Sequence, residues 1–325
     1  MGDNPPSDAV PKVLVGICTY NRPKMLTDCL ASCAQLETKG LDVQCLIANN
    51  TPSTPIDEGA LASVAPLIAR VVEVQEQGIP FARNAILDQA EEGGFDYCVF
   101  IDDDECPKSD WLVELVAHAC EKKAQVVQGN VIYQYESKPW LVAPLLRAEK
   151  FGEKAEHKRH GSASTCNVLI HRQLFASEGK RLRFDESMQY SGGTDSDFFR
   201  RAHDEHLVNI LYHGKAEVYE TIPASKSTPK ALFLRRSRTT SNLFHIRRNL
   251  ANRSHYSQIL RDAPKHLGGG VVGLLLAALS LPCFIIPHIG RNVFLSGFRG
   301  LAKCHGYLSA VLGGGHGAYR TNHGR

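Results

Sequence analysis

Four consecutive acidic residues, Asp102-Asp103-Asp104-Glu105, directly follow an apolar stretch at residues 97–101. Carboxylates held this close repel one another unless a cation compensates their charge. Hard divalent cations choose carboxylate oxygens and complete their coordination with water and phosphate. The segment therefore predicts a Mg²⁺ or Mn²⁺ site. The simpler alternative is a solvated acidic turn that caps the helix predicted from residue 110.

A second group with chemical potential is basic, and it contains Arg235, Arg236 and Arg238. Guanidinium groups match the geometry of phosphate oxygens, so these side chains could hold a diphosphate. A solvated or lipid-facing basic surface explains them equally well. His213, Glu220 and His245 are interpreted as structural or exposed residues, because the fourteen histidines are scattered along the chain.

The scaffold for these residues is predicted from alternating patterns of apolar residues. Strands are predicted at residues 13–18, 43–48, 71–74, 97–101 and 125–135, and helices from residue 23 and at 56–68, 80–90 and 110–122, and residues 166–170 form a compact apolar run. This alternation favours an α/β fold with a mostly parallel sheet and helices on both faces. Ligands of such sheets bind beyond the carboxyl ends of the strands, where Asp102 begins. Residues 139–161 lack clear periodicity and are predicted to form a mobile loop over the site.

Charge is divided unequally along the 325 residues, although the formal net charge is only +3. Residues 226–325 contain fifteen Lys or Arg and one acid, Asp262, whereas the preceding part has 22 basic and 33 acidic residues. The small net charge gives no global reason to expect nucleic acid as a partner. A basic segment beside apolar residues favours anionic lipid, with anionic diphosphates or nucleic acid as alternatives. The ten cysteines lack paired CxxC spacing and are expected to be reduced, mostly in the core.

Residues 267–286 are uncharged and almost entirely apolar, and their number matches the ~20 residues that a helix needs to cross a membrane. Pro282, Pro287 and basic residues on both sides make a re-entrant or in-plane segment as acceptable as a crossing. Residues 293–312 mix apolar side chains with Arg299 and Lys303, as in a helix that lies among lipid headgroups. The alternative is a buried helical hairpin.

Four segments, in order, resemble motifs of the family 2 inverting glycosyltransferases, which have the GT-A fold. They are Cys18-Thr19-Tyr20-Asn21-Arg22, Gln77-Gly78-Ile79-Pro80-Phe81-Ala82-Arg83-Asn84, Asp102-Asp103-Asp104 and Gly192-Gly193-Thr194-Asp195-Ser196-Asp197. The third resembles the DXD motif of the family, and the fourth resembles the segment that holds its catalytic base. The resemblance covers about residues 12–220, and the ordered combination is more specific than any one motif.

The resemblance implies roles for individual residues. Asp102 would help to hold nucleotide and metal, Asp104 would bind the metal at the donor diphosphate, and Asp195 would be the catalytic general base. The expected nucleotide-sugar contacts are Thr19, Tyr20, Asn21, Arg22, Asn49, Gly78, Arg83, Asp102 and Asp103, to which the arginine chemistry adds Arg235 and Arg236.

The reaction itself explains why two separate acidic sites are needed. When a nucleoside diphosphate leaves an anomeric carbon, negative charge builds on the phosphate, and a bound cation stabilises it. The attacking hydroxyl has to lose its proton, which a carboxylate such as Asp195 can accept. Asp197 would not share a helix face with Asp195, and helix-terminal charge is its alternative role. Gly192 and Gly193 either let the backbone approach a sugar or form a turn.

Two departures from the family pattern bear on the substrate. Asn49 and Asn50 stand where many members have an Asp that contacts base or ribose, and an amide can hydrogen bond there only without charge. Uridine diphosphate is still the expected carrier, but this residue difference weakens the reason for expecting uracil. Thr194 stands where many members have Glu. The Gln-x-x-Arg-Trp sequence of processive synthases is absent from the chain, which favours transfer of a single sugar.

The sequence thus predicts a flexible N-terminus at residues 1–11, a GT-A catalytic domain at 12–225 and a basic, helical, membrane-associating region at 226–325. Residues 1–11 contain no secretory signal, which places the enzyme on the cytoplasmic side of the inner membrane. The expected activity is metal-dependent sugar transfer to a lipid-linked or surface-polysaccharide acceptor. The alternatives are a nucleotidyltransferase that releases pyrophosphate and a non-catalytic nucleotide-sugar-binding protein. The oligomeric state stays open.

Overall fold

The computed structural model describes residues 10–51, 53–150, 161–189, 193–250 and 254–313. The strands within them are β1 (Lys12–Thr19), β2 (Asp42–Asn49), β3 (Ile68–Glu73), β4 (Tyr97–Asp102), β5 (Glu105–Pro107), β6 (Val126–Tyr135), β7 (Val168–His171) and β8 (Ile210–Ile222). The helices are α1 (Pro23–Cys33), α2 (Glu58–Ala62), α3 (Ile79–Glu92), α4 (Trp111–Lys122), α5 (Arg172–Phe175), α6 (Thr194–His206), α7 (Pro229–Leu250), α8 (His255–Cys283) and α9 (Pro287–Val311). Of the predicted flexible N-terminus, residues 1–9 lie outside the described residues.

The strands form one sheet in the order β3-β2-β1-β4-β7-β6-β8-β5. The first four run parallel, β6 and β8 are parallel, and β7 and β5 pair antiparallel with their neighbours. The predicted mostly parallel sheet with flanking helices is confirmed. In the register, Cys18 lies opposite Asp102, and Thr19 lies opposite Asn49. The ends of β1 and β4 therefore bring two of the predicted motifs to one edge, and the end of β2 adds Asn49.

The core occupies both faces of this sheet because side chains alternate along each strand. Val13, Val15 and Ile17 of β1 pack on the face covered by α1 and α4, whereas Leu14 packs on the face covered by α3 and α6. Gly16 allows α3 to lie close to β1, since a Cβ at this position would be 2.5 Å from Ile86 Cγ2. Both faces of the central strands are thus buried, which explains their continuous apolar sequences.

One predicted element is wrong in extent. The helix expected at residues 56–68 is limited to α2, which begins after the Asp57 cap and ends at Ala62. Pro66 cannot donate a helical hydrogen bond, and Ile68 already belongs to β3. The expected mobile loop at 139–161 contains a short 3-10 turn, and Glu149 forms a β-bridge with Ile132. Residues 151–160 lie outside the described part of the chain.

A buried polar network on β6 fixes the segment that precedes β7. Gln128 donates from Nε2 to the carbonyl oxygens of Cys166 and Asn167, and its Oε1 accepts from the amide of Ser164 at 2.6 Å. Asn167 in turn accepts from the Trp111 indole at 2.7 Å. Because buried polar groups must be paired, this network leaves the segment little freedom. Ser164 is thereby held at the sheet edge.

The C-terminal helices pack as a separate layer. α8 and α9 form an antiparallel hairpin, and α9 also packs along α7. Close helix contact depends on glycine, because a Cβ at Gly297 would be 2.6 Å from the Gly273 carbonyl oxygen. A Cβ at Gly306 would be still closer to the carbonyl oxygen of Ser237 on α7. By length and composition alone, α8 is long and apolar enough to cross a membrane.

Candidate active site

Asp103 and Asp104 are tied to the loop that follows β1. Thr19 Oγ1 donates to Asp103 Oδ2 at 2.8 Å, and Arg22 Nη1 lies 3.0 Å from Asp103 Oδ1 and 3.4 Å from Asp104 Oδ2. Lys226 Nζ lies 3.9 Å from Asp104 Oδ2. Asp103 is buried, with 4% of its surface exposed, and both of its carboxylate oxygens accept hydrogen bonds from the protein. Asp104 keeps a more open position between two cations.

Asp102 is half-buried and Glu105 is buried, and the two are joined within the acidic turn. Glu105 Oε2 accepts the Asp102 backbone amide at 3.0 Å, which folds the turn back on itself. Burial and the negative charge of Asp104 raise the pKa of Asp102 to about 6. Burial and the charge of Asp102 raise the pKa of Glu105 well above its usual value. This cluster therefore favours any cation that reaches it.

Lys150 supplies positive charge inside this cluster. Its Nζ donates to Ser164 Oγ at 2.9 Å and contacts Cys166 Sγ, and its charge acts on Asp102. Single ligand atoms of Asp102, Glu105 and Cys166 also lie within 4.8 Å of one another. Burial raises the pKa of Cys166 to about 12, so its thiol stays protonated and is a poor ligand. The ammonium of Lys150 is therefore a better partner for Asp102, Glu105 and Cys166 than a metal ion bound by all three. Asp102 and Asp104 instead offer hard oxygen ligands.

Asp195 lies in the first turn of α6, after Gly193, which adopts φ +89°. Its Oδ2 accepts from Ser164 Oγ at 3.2 Å, and its Oδ1 lies 4.0 Å from Arg83 Nη1. Burial acts to raise the pKa of Asp195, but Arg83, the backbone amide, Lys150 and Ser164 together lower it. The carboxylate is therefore ionised at neutral pH. Gly192, named in the same motif, lies outside the described residues.

Arg83 joins α3 to the start of α6 and is buried. Its Nη1 donates to Thr194 Oγ1 at 2.8 Å, and its guanidinium lies 5.3 Å from the centre of the Phe184 ring. Arg83 was predicted to contact the nucleotide, and the structure places it beside Asp195. Gly78, at the start of α3, adopts φ +144°, and its amide donates to Asn50 Oδ1 at 2.8 Å.

A cavity of about 80 Å³ opens beside the ends of β1 and β2. Of the predicted contacts, Thr19, Asn21, Arg22 and Asn49 line it. Asn49 donates to Glu73 Oε2 and to the carbonyl oxygen of Thr54, and its oxygen accepts from Thr51 N. Its hydrogen-bonding groups are thus engaged within the protein. Tyr20 lies elsewhere on the loop, where its hydroxyl accepts from Gln77 at 2.8 Å.

The two predicted arginines of α7 face different surroundings. The charge of Arg235 acts on Glu220, and Glu220 in turn lies in the field of Asp104. Partial burial and the positive charges of Arg299 and Arg147 lower the pKa of Arg236. Only Arg235 is therefore electrostatically connected with the acidic turn, and Arg236 belongs to a basic cluster.

Sequence reasoning missed Lys150, Ser164 and Lys226 as members of the site, and it set Glu220 aside. Lys150 and Ser164 lie in or next to the segment without periodicity, and no local pattern marks them. The signal that could have found them is chemical, because four clustered acids require a nearby cation even before a metal binds. The structure brings the acidic turn and Asp195 together around Lys150, although they are far apart in the sequence.

Comparison with known proteins now defines the family. Residues 14–178 match the family model described as Glycosyl transferase family 2. The chain belongs to glycosyl transferase family 2. Over 307 residues it is 29% identical to the succinoglycan biosynthesis protein ExoM of Rhizobium meliloti (strain 1021), with 92% of each chain covered. Membership in glycosyl transferase family 2 favours sugar transfer over the nucleotidyltransferase and the non-catalytic alternatives.

One solved structure supports the GT-A fold expected for glycosyl transferase family 2. The mannosyltransferase PcManGT from Pyrobaculum calidifontis, in complex with GDP-Man and Mn²⁺, aligns with a TM-score of 0.58 and 17% identity over 94% of this chain and 87% of that chain. S. aureus TarS 1-349 in complex with UDP-GlcNAc aligns with a TM-score of 0.49 and 14% identity over 90% of each chain. The first of these supports the fold assignment.

Proposed function

We propose that this protein is an inverting, metal-dependent glycosyltransferase that moves one hexose from a nucleoside-diphosphate sugar to an acceptor hydroxyl. One observation carries this proposal: the acidic turn at the end of β4 and the ionised Asp195 at the start of α6 share the charge of Lys150. Inversion needs a leaving-group site and a base at the same sugar, on opposite sides. The arrangement supplies both kinds of group at one edge of the sheet.

Asp102 and Asp104 are the residues that would hold Mg²⁺ or Mn²⁺. The donor set fits, because both are carboxylates and Asp104 lies in the more open half of the turn. When bound, the ion neutralises the charge that develops on the departing diphosphate. Arg22 and Lys226, which now contact Asp104, can turn toward the phosphates instead. The Mn²⁺ of PcManGT supports this choice of cation.

Asp195 would remove the proton of the acceptor hydroxyl. Arg83 and Ser164 engage its two carboxylate oxygens, so the side chain is oriented before the acceptor binds. The lowered pKa of Asp195 keeps the base ready at neutral pH. A weaker base accepts the proton less strongly, but attack of the hydroxyl on a positively charged sugar needs only late proton transfer.

The nucleotide base is expected in the cavity beside β1 and β2. Thr19, Asn21, Arg22 and Asn49 line it, but the Asn49 amide is engaged by Glu73 and Thr54. Uridine diphosphate remains the proposed carrier, and the GDP-Man bound to PcManGT makes guanosine diphosphate the comparison to run. A donor panel must therefore include both bases with the same sugar.

The acceptor is proposed to be a lipid-linked oligosaccharide or a growing surface polysaccharide at the cytoplasmic side of the inner membrane. ExoM is named for succinoglycan biosynthesis, which supports polysaccharide assembly. The apolar α8 and the basic residues of 226–325 support attachment to a membrane surface. Residues 12–225 would then form the catalytic domain, and nucleic acid is not an expected partner.

The decisive experiment measures release of nucleoside diphosphate, with and without Mn²⁺, from UDP- and GDP-linked sugars in the presence of an acceptor panel. We expect metal-dependent release of the diphosphate and inversion at the anomeric carbon by NMR. Asp104→Asn should raise the Mn²⁺ concentration needed for activity. The matched control is Asp110→Asn, because Asp110 lies on the surface next to α4 and pairs with Lys108. Metal-independent transfer, or release of pyrophosphate, would refute the proposed function.

A further inference from the structure

The tip of the α8–α9 hairpin is attached to the sheet domain. The Phe284 ring, directly after α8, has its centroid 6.5 Å from that of Trp140. The Arg291 guanidinium of α9 lies 5.0 Å from the centre of the same indole, and its Nη1 lies 3.5 Å from the Trp140 carbonyl oxygen. The Trp140 ring thus lies between the Phe284 ring and the Arg291 guanidinium. We call this arrangement the Trp140 clasp. Trp140 follows β6, which runs parallel to β4 because both pair antiparallel with β7, so the hairpin tip is joined to a loop at the sheet edge that carries the acidic turn.

The base of the hairpin is attached to the same body through α7. Ser237 Oγ lies 2.8 Å from His305 Nδ1, and the Phe233 ring packs on Phe298 at 5.5 Å. Ile246 of α7 also approaches Gly193 next to the Asp195 turn, since a Cβ there would be 2.7 Å from Ile246 Cδ1. α8 is about 43 Å long at 1.5 Å per residue, longer than the ~30 Å hydrocarbon core. With both ends tied to one domain, the hairpin lies along it.

The outer face of α8 is apolar and exposed. Val271, Leu274, Leu275, Leu279 and Leu281 expose between 59% and 74% of their surface. Contiguous apolar exposure of this kind marks an interaction surface. The inner side of the same helix holds Gly270 and Gly273, which contact α9. The exposed leucines therefore need an apolar partner outside the described residues.

The charges of α9 decide between crossing and lying flat. Gly297 packs against Gly273, so the exposed Arg299 lies beside the apolar middle of α8. In a crossing hairpin its guanidinium would enter the hydrocarbon, where charged side chains are strongly disfavoured. In a flat hairpin Arg299 instead joins Arg236 and Arg147 in one basic cluster. Such a cluster complements the phosphates of an anionic leaflet.

We infer, on the basis of the proposed membrane association, that the α8–α9 hairpin lies in the plane of one anionic lipid leaflet. The exposed leucines of α8 enter the acyl layer, the Arg147-Arg236-Arg299 cluster meets lipid phosphates, and the Trp140 clasp keeps the tip on the catalytic side. The enzyme is monotopic in this arrangement. Because α7 contacts both the hairpin and the Asp195 turn, the leaflet lies beside the acceptor side of the site.

Cysteine cross-linking of the full-length enzyme on vesicles tests this topology. W140C/F284C is bound to phosphatidylglycerol-phosphatidylethanolamine vesicles, treated with a short bis-maleimide cross-linker, and digested for mass spectrometry, which separates the new pair from the native thiols. We expect at least about tenfold more of the 140–284 cross-link than of the 140–271 cross-link in the matched control W140C/V271C, because the Trp140 and Phe284 rings lie 6.5 Å apart whereas position 271 is beyond the reach of the cross-linker. Position 271 lies about 20 Å from position 284 along the helix.

Two outcomes would overturn the inference. If the 140–284 cross-link is missing from vesicle-bound enzyme, whether or not it forms in detergent, the hairpin does not lie flat with a closed clasp. If the enzyme does not sediment with vesicles while sugar transfer persists, the inferred contact between hairpin and lipid is wrong, but the proposed glycosyltransferase activity is not contradicted. A charge test needs no cysteine: R299E should weaken binding to anionic vesicles about fivefold, whereas K180E on the sheet domain should not.

Discussion

The sheet domain and the C-terminal helical layer use opposite means to hold their shape. In the sheet domain, buried polar side chains such as Gln128, Asn167 and Arg83 bond to backbone and to one another, and few apolar groups are exposed. In the helical layer, small residues bring helices together, and leucines remain exposed. The two regions therefore suit different proposed roles. The sheet domain would hold the reacting groups in place, and the helical layer would contact the lipid surface.

The largest effect should come from Asp195, the carboxylate of the sheet domain that is proposed to act as the base. Asp195→Asn should lower kcat about 10²–10⁴-fold, the range for removal of a general base, with little change in donor KM or vesicle binding. The matched control is Asp197→Asn, whose carboxylate pairs with Arg201 at 2.9 Å. Initial rates and co-sedimentation measure the two properties separately. If Asp195→Asn also released the enzyme from vesicles, the division between the regions would fail.

The next effect should come from the glycine contact within the hairpin. Gly297→Leu places a side chain against the Gly273 carbonyl oxygen and should destabilise the hairpin by about 1–3 kcal/mol, as overpacking does. Thermal unfolding and vesicle co-sedimentation would show a loss, while transfer to a soluble acceptor stays near wild type. Gly268→Leu is the matched control, because a Cβ at Gly268 meets nothing within 4 Å. Equal behaviour of the two variants would contradict the packing described.

A smaller effect should come from the hydroxyl that orients Asp195. Ser164→Ala removes the 3.2 Å hydrogen bond and should lower kcat about fivefold to tenfold, since one such bond contributes about 1 kcal/mol. The pH profile of kcat should also shift upward on its acidic limb, because Ser164 helps to lower the pKa of Asp195. Ser164→Thr should restore most activity, and Ser162→Ala is the control. An unchanged pH profile would show that Ser164 has no positioning role.

The smallest effect concerns acid stability of the sheet domain away from the site. Hydrogen bonding to Ser177 and the ion pair with Arg183 lower the pKa of Glu91 from 4.5 to about 2. A lowered pKa stabilises the fold above pH 4.5, and this contribution disappears as the pH falls toward 2. Glu91→Gln should therefore lose about 0.5–1 kcal/mol at neutral pH and less at pH 3, after allowance for solvent screening. Urea unfolding at both pH values, with Glu92→Gln as control, measures this difference.

Most of the sheet could be predicted because its strands are buried on both faces and read as apolar runs. The end of one such run also placed Asp102 at the carboxyl edge of the sheet, where ligands bind. The Ile56 helix was overextended because apolar spacing continued past Pro66, where the backbone cannot remain helical. Local pattern was thus reliable for strands and weaker for helix ends.

The site could be predicted only where a residue belongs to a compact motif. Asp195 was found in this way, whereas Ser164 was not, because its position depends on Gln128 of a distant strand. The direction of a side chain was also invisible in the sequence. Arg83 donates to Thr194, and the Asn49 amide donates to Glu73. Both hydrogen bonds join different elements of the fold, so neither could be predicted from local sequence.

The Trp140 clasp has an optical consequence. The chain has only two tryptophans, and the other, Trp111, is completely buried between α4 and the sheet. An indole in an apolar interior emits at shorter wavelength than one that is 52% exposed, as Trp140 is. Intrinsic fluorescence therefore carries two separable signals, one from the folded interior and one from the hairpin tip. Brominated lipids would quench the second signal and leave the first unchanged.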